Sequence, residues 1–186
     1  MNDPTPPTPG AALLLDRAAI DRCLKRLAHE IIERNPDLAT VALIGIPSRG
    51  VEIAQRLAAL ITQFSGVSIF AGVVAVAMHR DDLHRHRIPP RVERTILPEA
   101  LEEKTIVLTD DVLFSGRTCR AAMDSISSFG RPARIQYAVL VDRGHRELPI
   151  RADYVGKNLP TALDERVHVR FAATDGGDDA VLMSRT

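Results

Sequence analysis

Two adjacent carboxylates, Asp110 and Asp111, close the apolar run Ile106-Val-Leu-Thr, and Ser115-Gly116-Arg117-Thr118 follows after a short turn. The two groups suit opposite partners. Carboxylates accept hydrogen bonds from hydroxyls or meet a metal-linked ligand. A helix starting at Gly116 offers backbone N–H groups without intrahelical partners, flanked by the Ser115 and Thr118 hydroxyls, and these suit a phosphate. A ligand bearing both a diol and a phosphate, a phosphosugar, matches both halves. A second turn, Pro47-Ser48-Arg49-Gly50, also follows an apolar run. There the planar fork of Arg49 can pair with two anionic oxygens.

Rival phosphate motifs fit poorly. In a P-loop register Asp111 stands where the first glycine belongs and Arg117 replaces the lysine, and a carboxylate there would repel a phosphate. Gly45-Ile-Pro-Ser-Arg-Gly50 lacks the middle glycine of a dinucleotide fingerprint. The plainer alternative is an aspartate pair that merely caps a helix.

The elements that must position these groups are readable from periodicity. Asp16 suits an N-cap, and Ile20, Leu24, Leu27 and Ile31 recur at helical spacing, which predicts an amphipathic helix over Arg17 to Arg34. Apolar runs predict strands over 40–46, 67–77, 104–109 and 135–141, with weaker ones at 154–155 and 167–171. Helices are predicted over 51–63 and from Gly116 to about Phe129, with Gly130 at the C′ position. Alternation of strand and helix predicts an α/β domain with a parallel sheet, whose ligands bind beyond the carboxyl ends of the strands.

The chain of 186 residues is long enough for one domain. Lys plus Arg and Asp plus Glu are both 24, a formal net charge of zero. That balance disfavours coating nucleic acid by bulk positive charge, but allows a local basic face. Residues 1–12, rich in proline, read as a disordered tail and 13–186 as the domain, with a charged, proline-containing mobile loop at about 79–100. His84 and His86 lie in that loop and read as solvated. Cys23 and Cys119 are far apart, without metal or disulfide spacing, so reduced thiols are expected. The N-terminus carries no secretory signal pattern, and no apolar run approaches the ~20 residues that span a bilayer. A cytoplasmic protein without a membrane partner is expected.

The segment from Ile106 to Thr118 resembles the phosphoribosyl-pyrophosphate (PRPP) motif of type I phosphoribosyltransferases. Three further stretches narrow the likeness: Arg26 to Asn35, Arg80-Asp-Asp-Leu83, and above all Ala138 to Pro160, which contains Asp-Arg-Gly-His-Arg-Glu-Leu-Pro-Ile-Arg-Ala-Asp. Together they are similar, nearly residue for residue, to the family of bifunctional pyrimidine operon regulators and uracil phosphoribosyltransferases. The likeness covers roughly Leu14 to Phe171.

The resemblance implies the type I phosphoribosyltransferase fold: α/β, a central mainly parallel sheet flanked by helices, with a small hood. It implies a transferase joining uracil to PRPP to give UMP and diphosphate, with Mg²⁺ carried by PRPP rather than by protein side chains. Asp110 and Asp111 would hold the ribose hydroxyls, and Arg80 would contact the diphosphate from the mobile loop. Ser48 and Arg49 would form the diphosphate turn. Val112, Leu113, Phe114, Ser115, Gly116, Arg117 and Thr118 would surround the 5′-phosphate, and Arg143 and Val167 the uracil. Lys-Thr often precedes the arginine in the family, where this chain has Pro47-Ser48; His79 replaces a usual tyrosine, and Gly72 to Met78 carries no carboxylate.

The resemblance also implies binding of the pyrimidine operon mRNA leader under control of UMP or UTP. Lys25, Arg26, His29, Arg34, Arg146, Arg151 and Lys157 would form the RNA face, in a homodimer or higher homo-oligomer. Two alternatives stand beside this reading. One is an RNA-binding regulator with weak or lost enzyme activity; the other is a plain nucleobase phosphoribosyltransferase without an RNA role.

Overall fold

The computed structural model describes residues 11–76 and 94–185. Arg80, His79, His84 and His86 lie outside the described residues. Strand β1 (Ala12–Asp16) leads directly into helix α1 (Arg17–Arg34). The Asp16 carboxylate accepts from the Ala19 N–H at 2.8 Å, satisfying one orphan donor of the first turn. There follow β2 (Val41–Gly45), α2 (Arg49–Ser65), β3 (Phe70–Val73), β4 (Thr105–Leu113), α3 (Arg117–Ser127) and β5 (Arg134–Asp142). The chain ends with β6 (Tyr154–Asn158), β7 (Glu165–Arg170), the single turn α4 (Ala172–Asp175) and β8 (Ala180–Arg185).

Five strands form a wholly parallel sheet in the order β3-β2-β4-β5-β6. A separate antiparallel sheet, β1-β8-β7, makes the hood. Side chains alternate across the parallel sheet, so each strand feeds two cores. On one side Leu43, Val107 and Leu140 pack with Ile20, Leu24, Leu27 and Ile31 of α1 and with Ile53, Leu57 and Ile61 of α2. On the other, Ile44, Ile106, Leu108 and Val139 pack with Cys119, Ala122 and Ile126 of α3. Each fully buried Leu or Ile contributes roughly 1.5–3 kcal/mol. The α1 core joins the hood through Leu15, Val169, Phe171 and Val181.

Several boundaries differ from expectation. Strand β4 continues to Leu113 because β5 keeps pairing with it, Leu113 lying opposite Asp142. The two acids therefore sit within the strand rather than past its end. Helix α2 starts at Arg49, so the arginine and glycine of the second turn form its first turn. The strand expected over 67–77 narrows to Phe70–Val73, where Ile96 crosses back to exchange hydrogen bonds of 3.0 and 2.8 Å with Val73. Helix α3 ends at Ser127 with Ser128 as its cap, leaving Gly130 beyond the C′ position. Ala12, the last residue assigned to the tail, already pairs with Met183. Among the described residues no helix is long and apolar enough to cross a membrane.

Candidate active site

The centre of the site is the carboxyl end of β4, where three segments meet. Thr109 anchors the first two: its hydroxyl donates to the Gly50 carbonyl at 2.8 Å, and its own carbonyl accepts from the Ile46 N–H at 2.9 Å. Gly50 is required there by contact. A Cβ on it would lie 2.4 Å from the Thr109 carbonyl oxygen, nearer than real atoms come. The absence of a side chain thus lets the Ser48–Arg49 turn lie against the strand one residue before the acid pair.

The two carboxyls lie close to each other, and Asp110 Oδ1 also accepts from the Asp111 N–H at 2.9 Å. Asp110 is buried on the α3 face, where the Tyr137 hydroxyl donates to its Oδ2 at 3.2 Å. Burial, then repulsion from Asp111, pushes its carboxyl well above the ordinary range. Asp111 feels the charge of Arg49 at the start of α2, and its Oδ1 accepts from the Val112 N–H at 2.9 Å. Burial raises its carboxyl too, while the charge of Arg49 is the main influence drawing it back. Tyr137 is pushed far up by burial and by Asp110. Burial, with Asp110 and Asp153, pushes the Cys119 thiol up to about 12, so it is no thiolate nucleophile near neutrality. Cys23 and Cys119 are both free thiols.

The third segment is the turn into α3. Gly116, at φ 92°, takes the left-handed conformation that swings the chain from β4 into the helix. The Ser115 carbonyl is held by the N–H groups of Glu147 and Leu148 at 3.0 and 3.2 Å, and the Arg117 guanidinium reaches Glu147 at 2.6 Å. The turn is therefore braced by the loop after β5, and the first-turn amides of α3 have no intrahelical acceptors.

That loop is also built from arginine. Arg143, buried, donates to the Thr161 hydroxyl and the Ala162 carbonyl, both at 3.0 Å, and its guanidinium lies 4.4 Å over the Phe114 ring. Phe114 and Arg143 thus form one stack between the site and the hood. Arg146 pairs with Asp142 and donates to the carbonyls of Phe114 at 2.9 Å, Gly144 at 3.1 Å and Ile150 at 3.0 Å. Val167, half-buried in β7, lies opposite Met183 in the hood sheet.

The remaining basic residues gather where α1 lies along β6. Arg26 donates to the carbonyls of Val155 and Gly156, and Arg34 donates to the Asp153 carbonyl at 3.1 Å while lying over the Tyr154 ring. Lys25, Arg151 and Lys157 are exposed. His29 is stacked on Phe64 of α2, with ring centroids 4.3 Å apart. Arg146 stands apart from this group, its guanidinium enclosed by the loop it closes.

Sequence reasoning missed Tyr137, Phe64 and two hood carboxylates, Asp175 and Asp179. Tyr137 sits in a run that reads as pure core strand, and the hood acids sit in a polar stretch that reads as a surface turn. Only their partners in space mark them. Arg49 donates to both carboxylate oxygens of Asp175, at 3.0 and 2.7 Å.

A parallel sheet with an acid pair on its middle strand, an arginine turn on one side and a glycine-led helix start on the other defines a class. The model of the phosphoribosyl transferase domain matches residues 12–174. Solved structures share the fold at low identity: the HGPRT-ase of Leishmania tarentolae in complex with GMP (TM-score 0.70, 16 % identity, 97 % of this chain and 100 % of that one) and the hypoxanthine phosphoribosyltransferase of Trypanosoma cruzi (0.69, 18 %, 93 % and 95 %).

Sequence relatives are nearer. The bifunctional protein PyrR of Chloroflexus aurantiacus is 56 % identical over 170 residues, 91 % of this chain and 93 % of its own. That of Clostridioides difficile is 48 % identical over 171 residues, 92 % and 97 %. The chain belongs to the phosphoribosyl transferase domain family and, within it, to the bifunctional PyrR proteins.

Proposed function

We propose that this chain transfers the phosphoribosyl group of PRPP to uracil and that it binds the pyrimidine operon mRNA leader according to its uridine-nucleotide occupancy. The observation that carries the first half is the convergence of Asp110–Asp111, the Ser48–Arg49 turn and the start of α3 on one strand end. Diol, diphosphate and 5′-phosphate are three parts of a single ligand. They match carboxylates, an arginine fork and helix-start amides respectively.

In the reaction the bond from C1′ to the diphosphate oxygen breaks and a bond from uracil nitrogen to C1′ forms. The ring N–H proton is lost, and diphosphate leaves with the bonding pair. Positive charge grows on the ribose as the leaving group departs, and positioning with charge stabilisation lowers such barriers. Asp110 and Asp111 accept the ribose hydroxyls, and their negative charge favours the cationic ring. Arg49 takes charge from the departing diphosphate, with Arg80 a second contact from outside the described residues. The turn from Val112 to Thr118 holds the 5′-phosphate in place. Arg143 and Phe114 form the floor on which a planar base can lie, with Val167 at the hood edge.

Among the described residues no group of three or more His, Cys, Asp or Glu is placed to hold a metal. The donor set present, two acids facing a diphosphate turn, fits a cation that arrives on the diphosphate oxygens. Mg²⁺ bound there would neutralise charge on the leaving group.

The second half rests on the family's bifunctional members and on the basic residues along α1 and β6. RNA loops are held by phosphate contacts and by stacking. Lys25, Arg151 and Lys157 are exposed cations for the phosphates, with Arg26 and Arg34 beside them, and His29 with Phe64 offers an aromatic surface. Incubation with uracil, PRPP and Mg²⁺ should yield UMP and diphosphate. No turnover with intact PRPP binding would favour a regulator whose chemistry has decayed, the reading that Ser48 in the diphosphate turn supports. Gel shifts against the organism's own pyrimidine leader should tighten with UMP. Equal affinity for random RNA would leave only a plain phosphoribosyltransferase.

A further inference from the structure

Helix α2 and the hood are joined by two arginine–carboxylate bridges. Arg49 and Arg56 lie about two turns apart on α2. Arg56 pairs with Asp179 at 2.5 Å and with Glu52 at 2.7 Å, and its guanidinium covers the Phe171 ring at 4.7 Å. That bridge is packed into the hood base, where the Asp179 side chain is 4 % exposed. The Arg49 bridge is different. It stands at the first residue of α2, inside the diphosphate turn, and its side chain is 36 % exposed.

The Arg49 bridge uses one edge of the guanidinium. Nε donates to Oδ2 of Asp175 at 3.0 Å and Nη2 to Oδ1 at 2.7 Å. Asp175 is itself fixed, because Oδ2 also accepts from the Phe171 N–H at 3.0 Å. A guanidinium carries five N–H donors in a planar fork, and this pairing uses two. The edge formed by Nη1 and the second Nη2 hydrogen has no protein acceptor among the described residues. It is a second fork of the same geometry, held in orientation by the first.

We propose that Asp175 is a positioning residue for diphosphate binding: by holding the Nε–Nη2 edge of Arg49, it presents the Nη1–Nη2 edge to the diphosphate of PRPP. The proposal rests on the assignment of Arg49 as a diphosphate ligand. It also ties the hood to the diphosphate turn through one side-chain pair. The physical gain is preorganisation, since an arginine already held loses less freedom when the ligand arrives. A simple charge argument predicts the opposite. A carboxylate beside an anion site should repel the anion and compete for the arginine, so its removal should tighten binding. The sign of the effect therefore separates the two.

The test is steady-state kinetics of UMP formation, with diphosphate binding by calorimetry as a readout independent of turnover. Asp175→Asn should raise KM for PRPP about two- to tenfold, the range expected for freeing one ordered side chain. KM for uracil should change less than twofold, and diphosphate affinity should fall by a factor similar to that for PRPP. Asp175→Glu keeps the charge but moves the carboxylate by one methylene, and should also raise KM for PRPP. Asp179→Asn breaks the neighbouring bridge and should lower Tm without a selective change in KM for PRPP. Arg49→Ala should raise KM for PRPP more than either Asp175 variant. A KM for PRPP that is lower or unchanged in both Asp175 variants, while Arg49→Ala damages it, overturns the positioning role alone. An unchanged KM in Arg49→Ala overturns the assignment of Arg49 and the proposal with it.

Discussion

Asp110 carries a conflict between stability and chemistry that can be measured. Its carboxyl is raised well above the ordinary range by burial and by Asp111, so the folded chain holds that proton more tightly than the unfolded chain. A raised acid contributes stability below its unfolded pKa, near 4, and loses that contribution as pH rises through the folded value. Asp110→Asn should therefore raise Tm near neutrality, with the gain shrinking as pH falls toward about 4. The same substitution should reduce UMP formation by about 10²-fold or more, since it removes charge aimed at the cationic ribose. Thermal melts across pH check the first outcome, and a Tm below that of the parent at pH 8 would refute it. Tyr137→Phe supplies a second measurement. The Tyr137 hydroxyl lowers the Asp110 pKa by donating to the ionised carboxylate, so its loss should shift the acid limb of the activity–pH profile upward. An unmoved limb would mean that Asp110 is not the group titrating in it.

At the scale of elements, the site depends on how closely α2 approaches β4. Gly50→Ala places a methyl 2.4 Å from the Thr109 carbonyl oxygen, a backbone atom in the middle of the sheet. The turn must move, at a cost of about 1–3 kcal/mol for overpacking. Denaturant titration should show that loss, and KM for PRPP should rise with it because Arg49 moves with the turn. Helix α1 was legible from sequence because Asp16 and the Ile20–Ile31 stripe are local signals, and its bounds coincide with the reading. Strands β1 and β8 were not. Their pairing joins Ala12 to Met183, Leu13 is 60 % exposed, and neither segment alternates cleanly. The acid pair and the α3 turn were legible because residue type alone distinguishes carboxylate from hydroxyl. The reach of β4 through the acids depended on pairing with β5, which no local pattern records.

For the molecule as a whole, a net charge of zero conceals sites of opposite sign. Acids gather in the Asp110–Asp111 pair and in the bridges to the hood, while cations collect along α1 and β6. Binding to RNA depends on the local field, so the salt dependence of affinity should exceed what zero net charge suggests. The basic residues proposed for RNA then divide by their partners. Lys157 is exposed, and Lys157→Ala should lower the slope of log affinity against log salt by about 0.7–0.9 with Tm unchanged. Arg146 is different, because its guanidinium holds Asp142 and three carbonyls of the loop that braces the α3 turn. Arg146→Ala leaves those acceptors without their donor. It should lower Tm and raise KM for PRPP, and any loss of RNA affinity should accompany the loss of fold. Gel shifts at several salt concentrations, run beside melts of both variants, distinguish the cases. If Arg146→Ala flattens the salt slope while melting like the parent, the guanidinium leaves its loop to meet phosphate when RNA is bound.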